Sequence, residues 1–270
     1  MREALKNHWP EYLIEAMCLG AFMVSACTFA TLLGHPMSPA QMWFMAGTPM
    51  RLVMGIAMGL TAIAIIYSPW GKRSGAHMNP AVTFTFLRLG KIAPSDAFFY
   101  VLFQFAGGIV GVLLARIFLR EWVSHPAVNY AVTAPGTQGP TAAFFAELLI
   151  SFLLMCTILI VSNTEKLARY TGLFAGILVA TYITFEAPIS GMSMNPARTF
   201  GSALLAQSWT ALWIYFSAPP FGMLLAAEAY LRVKGARAVH CAKLHHQNNQ
   251  RCIFRCGYAM KPASAPATPS

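Results

Sequence analysis

Six apolar segments, each close to the length a helix needs to cross a bilayer, constrain this chain more than any other feature. They run about Glu11–Leu33, Met50–Tyr67, Ala97–Leu119, Thr141–Val161, Thr171–Ala187 and Ser208–Leu231, and one span takes roughly 17–25 residues. Only 10% of the residues are charged, whereas soluble domains carry about 25%. An ordinary soluble enzyme, a disordered chain and a secreted disulfide scaffold are thereby excluded. Trp9, Tyr12, Trp43, Tyr67, Trp70, Trp122, Trp209 and Trp213 fall at or near segment ends, as an interfacial aromatic belt requires. Arg2 and Lys6 ahead of the first segment also suit a cleaved signal peptide, but Glu15 inside that segment and its length favour a span.

Two shorter apolar stretches, Met78–Leu89 and Met194–Ala206, each follow a polar, Gly-containing loop. They are too short to span and too apolar for surface loops, so each reads as a half-helix dipping into the membrane. Irregular backbone survives at that depth only when buried in protein or lining a wet cavity. Charge sets the orientation. With the N-terminus in the cytoplasm, Arg2, Lys6, Lys72, Arg73, Arg88, Lys91, Lys166, Arg169 and every basic residue from Arg232 onward lie inside. Both termini are then cytoplasmic, and the net charge of +10 records topology rather than nucleic-acid binding.

The chain also repeats itself, over about 11–120 and 141–231. Glu15 is matched by Glu147, Gly55-x-x-x-Gly59 by Gly172-x-x-x-Gly176, and one half-helix by the other. Three spans per half make the second copy inverted, and such repeats place their site at the midplane where broken helices meet. The half-helix starts read Ser74-Gly-Ala-His-Met-Asn79-Pro80-Ala81 and Ser190-Gly-Met-Ser-Met-Asn195-Pro196-Ala197-Arg198. Asn is a strong N-cap and Pro suits the first helical position, so one copy means only a well-started helix. Two copies, each after Ser-Gly-x-x-Met in an inverted repeat, are far more specific.

On these residues the chain resembles the aquaporin, or major intrinsic protein, family from about Glu11 to Tyr230. The resemblance implies an all-α membrane protein of six transmembrane helices and two re-entrant half-helices, a pore through each subunit, and a homotetramer. It also implies a selectivity constriction at Arg198, with Met58, Ile183 and Met192 as the other positions matched by spacing, and backbone support of the signature loops by Glu15 and Glu147. Two departures bear on the solute. Met58 and Ile183 stand where water-selective members have Phe and His, and Thr199 follows the Arg where glycerol facilitators usually have Asp. Water and a small neutral solute such as glycerol both remain open as cargo.

The physics of such a pore can be stated beside the name. Opposed half-helix N-termini each carry about half a positive charge, which disfavours cations at the centre. Asn79 and Asn195 can donate N–H to a passing oxygen, turning a water's hydrogens outward and interrupting a proton wire. The Gly75–Met78 and Gly191–Met194 segments are expected to offer carbonyl acceptors, and no cofactor is expected for transport. Arg198 lies within the bilayer, where charge usually faces a wet cavity; the bland alternative is a snorkelling Arg. Glu186 reads as a solvated residue at the mouth, with an approach to Arg198 as the alternative.

Residues 1–235 thus form the expected channel domain and 236–270 a basic cytoplasmic tail whose Pro/Ala/Ser/Thr-rich end should be disordered. The tail holds His240-Cys241-Ala-Lys-Leu-His-His246 and Arg251-Cys252-Ile-Phe-Arg-Cys256. Cys241, His245 or His246, Cys252 and Cys256 could make a zinc site, against a basic thiol-bearing tail lying near anionic lipid. The family resemblance does not reach it. Three rivals to a passive channel make different demands on the sequence. A coupled transporter would want an acidic residue at the midplane, a structural protein would show negligible permeability, and an enzyme would need a catalytic constellation by the pore. A bacterial inner membrane is the expected location.

Overall fold

The computed structural model describes residues 1–43 and 47–258. Among them eight helices run nine residues or longer, and there is no strand. They are α1 (Arg2–Gly34), α2 (Thr48–Tyr67), α3 (Pro80–Arg88), α4 (Pro94–Leu119), α5 (Gly139–Ser162), α6 (Thr171–Phe185), α7 (Pro196–Ala206) and α8 (Leu212–Lys234). Six are long and two short, at the places where the hydropathy pattern put spans and half-helices. α1, α2, α4, α5 and α6, the last together with the turn from Ala168, each hold an apolar stretch long enough to cross a membrane. In α8, Pro219, Pro220 and Glu228 dilute an otherwise apolar run of 23 residues.

Several boundaries differ from the hydropathy reading for local reasons. α1 begins at Arg2, because His8 and Tyr12 on its first turns both reach the buried Asp96 carboxylate, at 2.8 and 2.6 Å. α6 stops at Phe185, and Glu186 caps it. α8 begins only at Leu212, since Ala211 is left-handed at φ 52°.

The helices pair with the symmetry of an inverted repeat. α1 packs on α4 as α5 packs on α8, and α2 crosses α6 between the repeats. The half-helices are exchanged: α3 docks on α8 and α7 on α4, each on the other repeat's helix. Backbones approach closely at the small residues. A Cβ on Gly59 would sit 2.6 Å from the Gly176 carbonyl, and one on Gly176 would sit 2.7 Å from the Gly59 carbonyl. Outward-facing Met17, Leu60, Ile117, Phe118, Phe145 and Phe185 are exposed, an apolar belt that only lipid or further protein can cover.

The start of α1 and the described part of the tail meet on one face, where Arg251 reaches the Asn7 carbonyl. Beyond α8, residues 239–258 have no helix or strand yet are seated on the helices rather than trailing from them. The His240 amide donates to Asn163 Oδ1 (2.7 Å), the Arg255 amide to the Lys91 carbonyl (2.9 Å), and Arg251 Nη1 to the Asn7 carbonyl (3.1 Å). The Pro/Ala/Ser/Thr-rich end expected to be disordered lies outside the described residues.

The reciprocal Gly59–Gly176 approach makes a test. Gly59→Val has no room unless α2 and α6 separate, and overpacking of this kind costs about 1–3 kcal/mol. A lower thermal midpoint in detergent, read by size-exclusion chromatography after heating, is expected. An unchanged midpoint would contradict the close crossing.

Candidate functional site

Each half-helix starts on an Asn whose side chain closes its own first turn. Asn79 Oδ1 accepts from the Ala81 amide at 2.8 Å, and Asn195 Oδ1 accepts from the Ala197 and Arg198 amides at 3.1 and 3.2 Å. With the oxygens fixed, each amide nitrogen is turned to the opposite repeat. Asn79 Nδ2 donates to the Met194 carbonyl and Asn195 Nδ2 to the Met78 carbonyl, both at 2.7 Å. A side-chain amide has two N–H donors, so each keeps a second for the cavity that both residues line.

The loops leading into the half-helices are strained in the same places. Gly75 and Gly191 have φ of 99° and 82°, and Ala76, Met78, Met192 and Met194 are left-handed as well, at 49–55°. Left-handed backbone costs a residue with a Cβ about 1–2 kcal/mol, so something must hold these loops. Two buried carboxylates do. Glu15 accepts from the Ser74 hydroxyl (2.7 Å), the His77 and Met78 amides (3.1 and 2.7 Å) and Gln104 Nε2 (2.9 Å). Glu147 accepts from the Ser190 hydroxyl (2.8 Å) and the Ser193 and Met194 amides (2.6 and 2.7 Å). Tyr100 and Tyr215 add a matching pair by donating to the Ser74 and Ser190 carbonyls.

Met58, Ile183, Met192 and Arg198, assigned to the constriction by spacing, all lie on the wall of a single cavity of about 310 Å³ with Asn79 and Asn195. Arg198 Nη1 is buried without a hydrogen-bond partner, so the snorkelling alternative does not describe it. Glu186 does not neutralise it: both carboxylate oxygens of Glu186 are buried and unpartnered, and no ion pair joins the two among the described residues. Thr199 faces away from the cavity and bonds to Thr133 (2.9 Å) and Ser193, tying the Arg-bearing loop to the preceding one.

The sequence left His77 without a role and missed how the tail meets this loop. The Ala242 carbonyl can only accept, so His77 Nε2 carries the proton in their 2.8 Å bond, and Nδ1 accepts from Thr83. The imidazole lies between the rings of Phe86 and Phe254, 5.1 and 5.3 Å away. The Gly75 carbonyl, expected to face solute, accepts from the Leu244 amide at 3.1 Å, and Leu244 itself lines the cavity. These are contacts between residues about 165 apart, which no local pattern encodes.

Within the tail, Cys241, His246, Cys252 and Cys256 offer four ligand atoms all within 4.8 Å of one another. Of the two histidines the sequence offers for this set, the structure excludes His245 and places His246. The His245 ring instead meets Tyr67 edge-on at 5.0 Å, and its Nδ1 is buried without a partner. Adjacent residues on extended backbone point to opposite sides, so only one of the two can face the thiols. The Cys252 thiol is pulled down to about 4, chiefly by the hydrogen bond from Cys241, which is pushed up by the same bond and by burial. Burial lowers the Lys243 ammonium, which is satisfied by the Gln250 and Arg251 carbonyls at 3.1 and 2.7 Å.

Comparison with known proteins places this geometry. Residues 5–230 match the family model described as Major intrinsic protein. The chain is similar to "Aquaporin NIP2-1" of Zea mays, 35% identical over 186 residues, covering 68% of this chain and 60% of the relative. It is 36% identical over 184 residues to "Glycerol uptake facilitator protein-like 6" of Lactiplantibacillus plantarum, covering 65% of this chain and 82% of the relative. The chain thus spans about 60% of the length of the maize relative. The fold superposes on the X-ray structure of the aquaglyceroporin from Plasmodium falciparum with a TM-score of 0.67 at 21% identity, covering 84% of this chain and 97% of that one.

Glu147→Ala should strand the Ser193 and Met194 amides at membrane depth. A buried donor left unsatisfied costs about 1–3 kcal/mol. We expect a clearly lower thermal midpoint in detergent, with Glu147→Gln falling between the two because its carbonyl oxygen still accepts. Wild-type stability in Glu147→Ala would contradict the clamp.

Proposed function

Because the chain belongs to the major intrinsic protein family, we propose that it is a passive channel for water and small neutral solutes that excludes ions and protons. The observation that carries this reading is the reciprocal bonding of Asn79 and Asn195 across the meeting point of two opposed half-helix starts, on the wall of the cavity. A water passing there accepts from the two remaining amide hydrogens and must point its own hydrogens away along the pore. The chain of water-to-water bonds that would carry a proton changes direction at that point. The half-helix dipoles make the same point positive without a bound ion, and the unpartnered Arg198 Nη1 adds a second barrier to cations. Arg198 also offers its N–H groups to the oxygen of a water or an alcohol.

A glycerol-type facilitator is the second reading. Met58, Ile183 and Met192 give the constriction three apolar sides and one polar side, which suits a solute whose carbon backbone is apolar along one edge. Methionine's flexible thioether lets such a wall yield, and one of the relatives is named for glycerol uptake.

In this reading both termini are cytoplasmic, as the basic residues around the terminal face favour, and the membrane is a bacterial inner membrane. The exposed apolar faces support assembly as a homotetramer within lipid. Residues 1–235 form the channel and 236–270 its appendage. Transport needs no cofactor, and no partner beyond the bilayer, the solute and other copies of the chain is required. The cluster of Cys241, His246, Cys252 and Cys256 holds one zinc ion outside the conduction path.

Proteoliposomes loaded with full-length protein and shocked with sucrose, then with glycerol, test the reading by stopped-flow light scattering. With a zinc chelator present, shrinkage several-fold faster than in empty vesicles is expected under sucrose, and the rate of glycerol re-entry separates the two solute readings. Arg198→Val should raise glycerol entry relative to water several-fold, since it removes the charged side of the constriction formed with Met58, Ile183 and Met192. No change in that ratio would remove Arg198 from selectivity.

A further inference from the structure

The tail makes its contacts with the pore at two places, and in each the pore-contacting residues lie between two of the clustered thiol and imidazole groups. Between Cys241 and His246, the Ala242 carbonyl accepts from His77 and the Leu244 amide donates to Gly75, while the Leu244 side chain lines the cavity. Between Cys252 and Cys256, the Phe254 ring stacks on His77 and meets Tyr100 at 5.9 Å. Leu244 and Phe254 are 5% and 7% exposed. A segment of about twenty residues without helix or strand rarely holds such a position unaided; short irregular domains usually need a metal or disulfides.

The cluster has the dimensions of a metal site. Cys241 Sγ and Cys252 Sγ are 3.6 Å apart, far beyond a disulfide bond of about 2.05 Å. Cys256 Sγ and His246 Nε2 are 3.5 Å apart. A tetrahedral zinc ion bound at about 2.3 Å to sulfur and 2.0–2.1 Å to nitrogen spaces its ligands by about 3.8 Å between sulfurs and about 3.6 Å between sulfur and nitrogen. Three thiolates and one imidazole are a closed ligand set, which suits a structural zinc rather than a catalytic one.

We propose that this cluster is a zinc latch: with the metal bound, the tail is held as a stopper over the inner mouth of the pore, Leu244 being its occluding side chain and Phe254 its anchor against His77 and Tyr100, and loss of the metal releases it. The proposal rests on the zinc reading given above and adds a regulatory role to it. A docked tail also occupies the Gly75 carbonyl, one of the acceptors a passing solute would use on that side. Zinc-replete protein is therefore the low-conductance form and zinc-free protein the open one. The released segment loses its fixed contacts, while the helices and the two carboxylate clamps stay in place.

The test uses full-length protein in proteoliposomes, with zinc per chain measured by mass spectrometry on the same preparation. One zinc per chain is expected, with osmotic shrinkage accelerating several-fold after a membrane-permeant zinc chelator and slowing again when zinc is restored. Leu244→Ala should keep its zinc and shrink fast without chelator, and Cys252→Ser/Cys256→Ser should lack zinc and shrink fast. Zinc present but shrinkage unaffected by its removal would overturn the latch and leave the zinc site standing. Absence of zinc from the wild type would overturn both. Rates equal to empty vesicles in every form, Leu244→Ala and zinc-free protein included, would overturn the channel reading itself and the latch with it.

Discussion

Non-helical backbone at membrane depth must find every hydrogen-bond partner inside the protein, and in this fold two buried carboxylates meet that requirement. Glu15 and Glu147 each accept from two consecutive loop amides and a serine hydroxyl. Without them the Met78 and Met194 amides would have no partner, and the Ser74 and Ser190 hydroxyls, which accept from the Ala76 and Met192 amides, would lose the carboxylates that orient them. Because each carboxylate fixes the loop one residue before the capping Asn, it also sets where the Asn amide points. The geometry where the two half-helices meet is thus a consequence of how the chain satisfies its backbone.

The exchange of half-helices between repeats makes this arrangement cooperative. α3 rests on α8 and α7 on α4, so neither half can form its loop alone. The cross-bonds from Asn79 to Met194 and from Asn195 to Met78 close the two halves on each other. Close crossings such as Gly59 with Gly176 bring the helices near enough for the loops to meet. The symmetry fails at the mouths. Arg198 corresponds to the uncharged Val82 of the other repeat, and His77, under the tail, corresponds to Ser193.

Much of this was legible in the amino-acid order, for identifiable reasons. Hydropathy gives spans and half-helices because a bilayer imposes a length, and Asn-Pro gives the half-helix starts because it is a local capping signal. Glu15 and Glu147 could be assigned to the loops only through resemblance, since their partners lie some 45–60 residues away. The choice of His246 over His245 depends on which way one extended residue faces, a fact fixed by Tyr67 across the molecule. The docking of residues 239–258 was invisible for the same reason: the tail meets His77 and Gly75 through the Ala242 carbonyl and the Leu244 amide, and backbone carries no residue-specific signature. A basic, cysteine-bearing stretch reads as a solvated tail until its partners are seen.

The central claim is a continuous aqueous path shaped by the two Asn-capped half-helices. The temperature dependence of water permeability tests it most directly, measured on proteoliposomes with a zinc chelator present so that the tail is released. A channel gives fast shrinkage whose rate rises with temperature only as gently as the mobility of liquid water. Shrinkage as steeply temperature-dependent as that of empty vesicles would mean that water crosses through lipid, and would contradict the account.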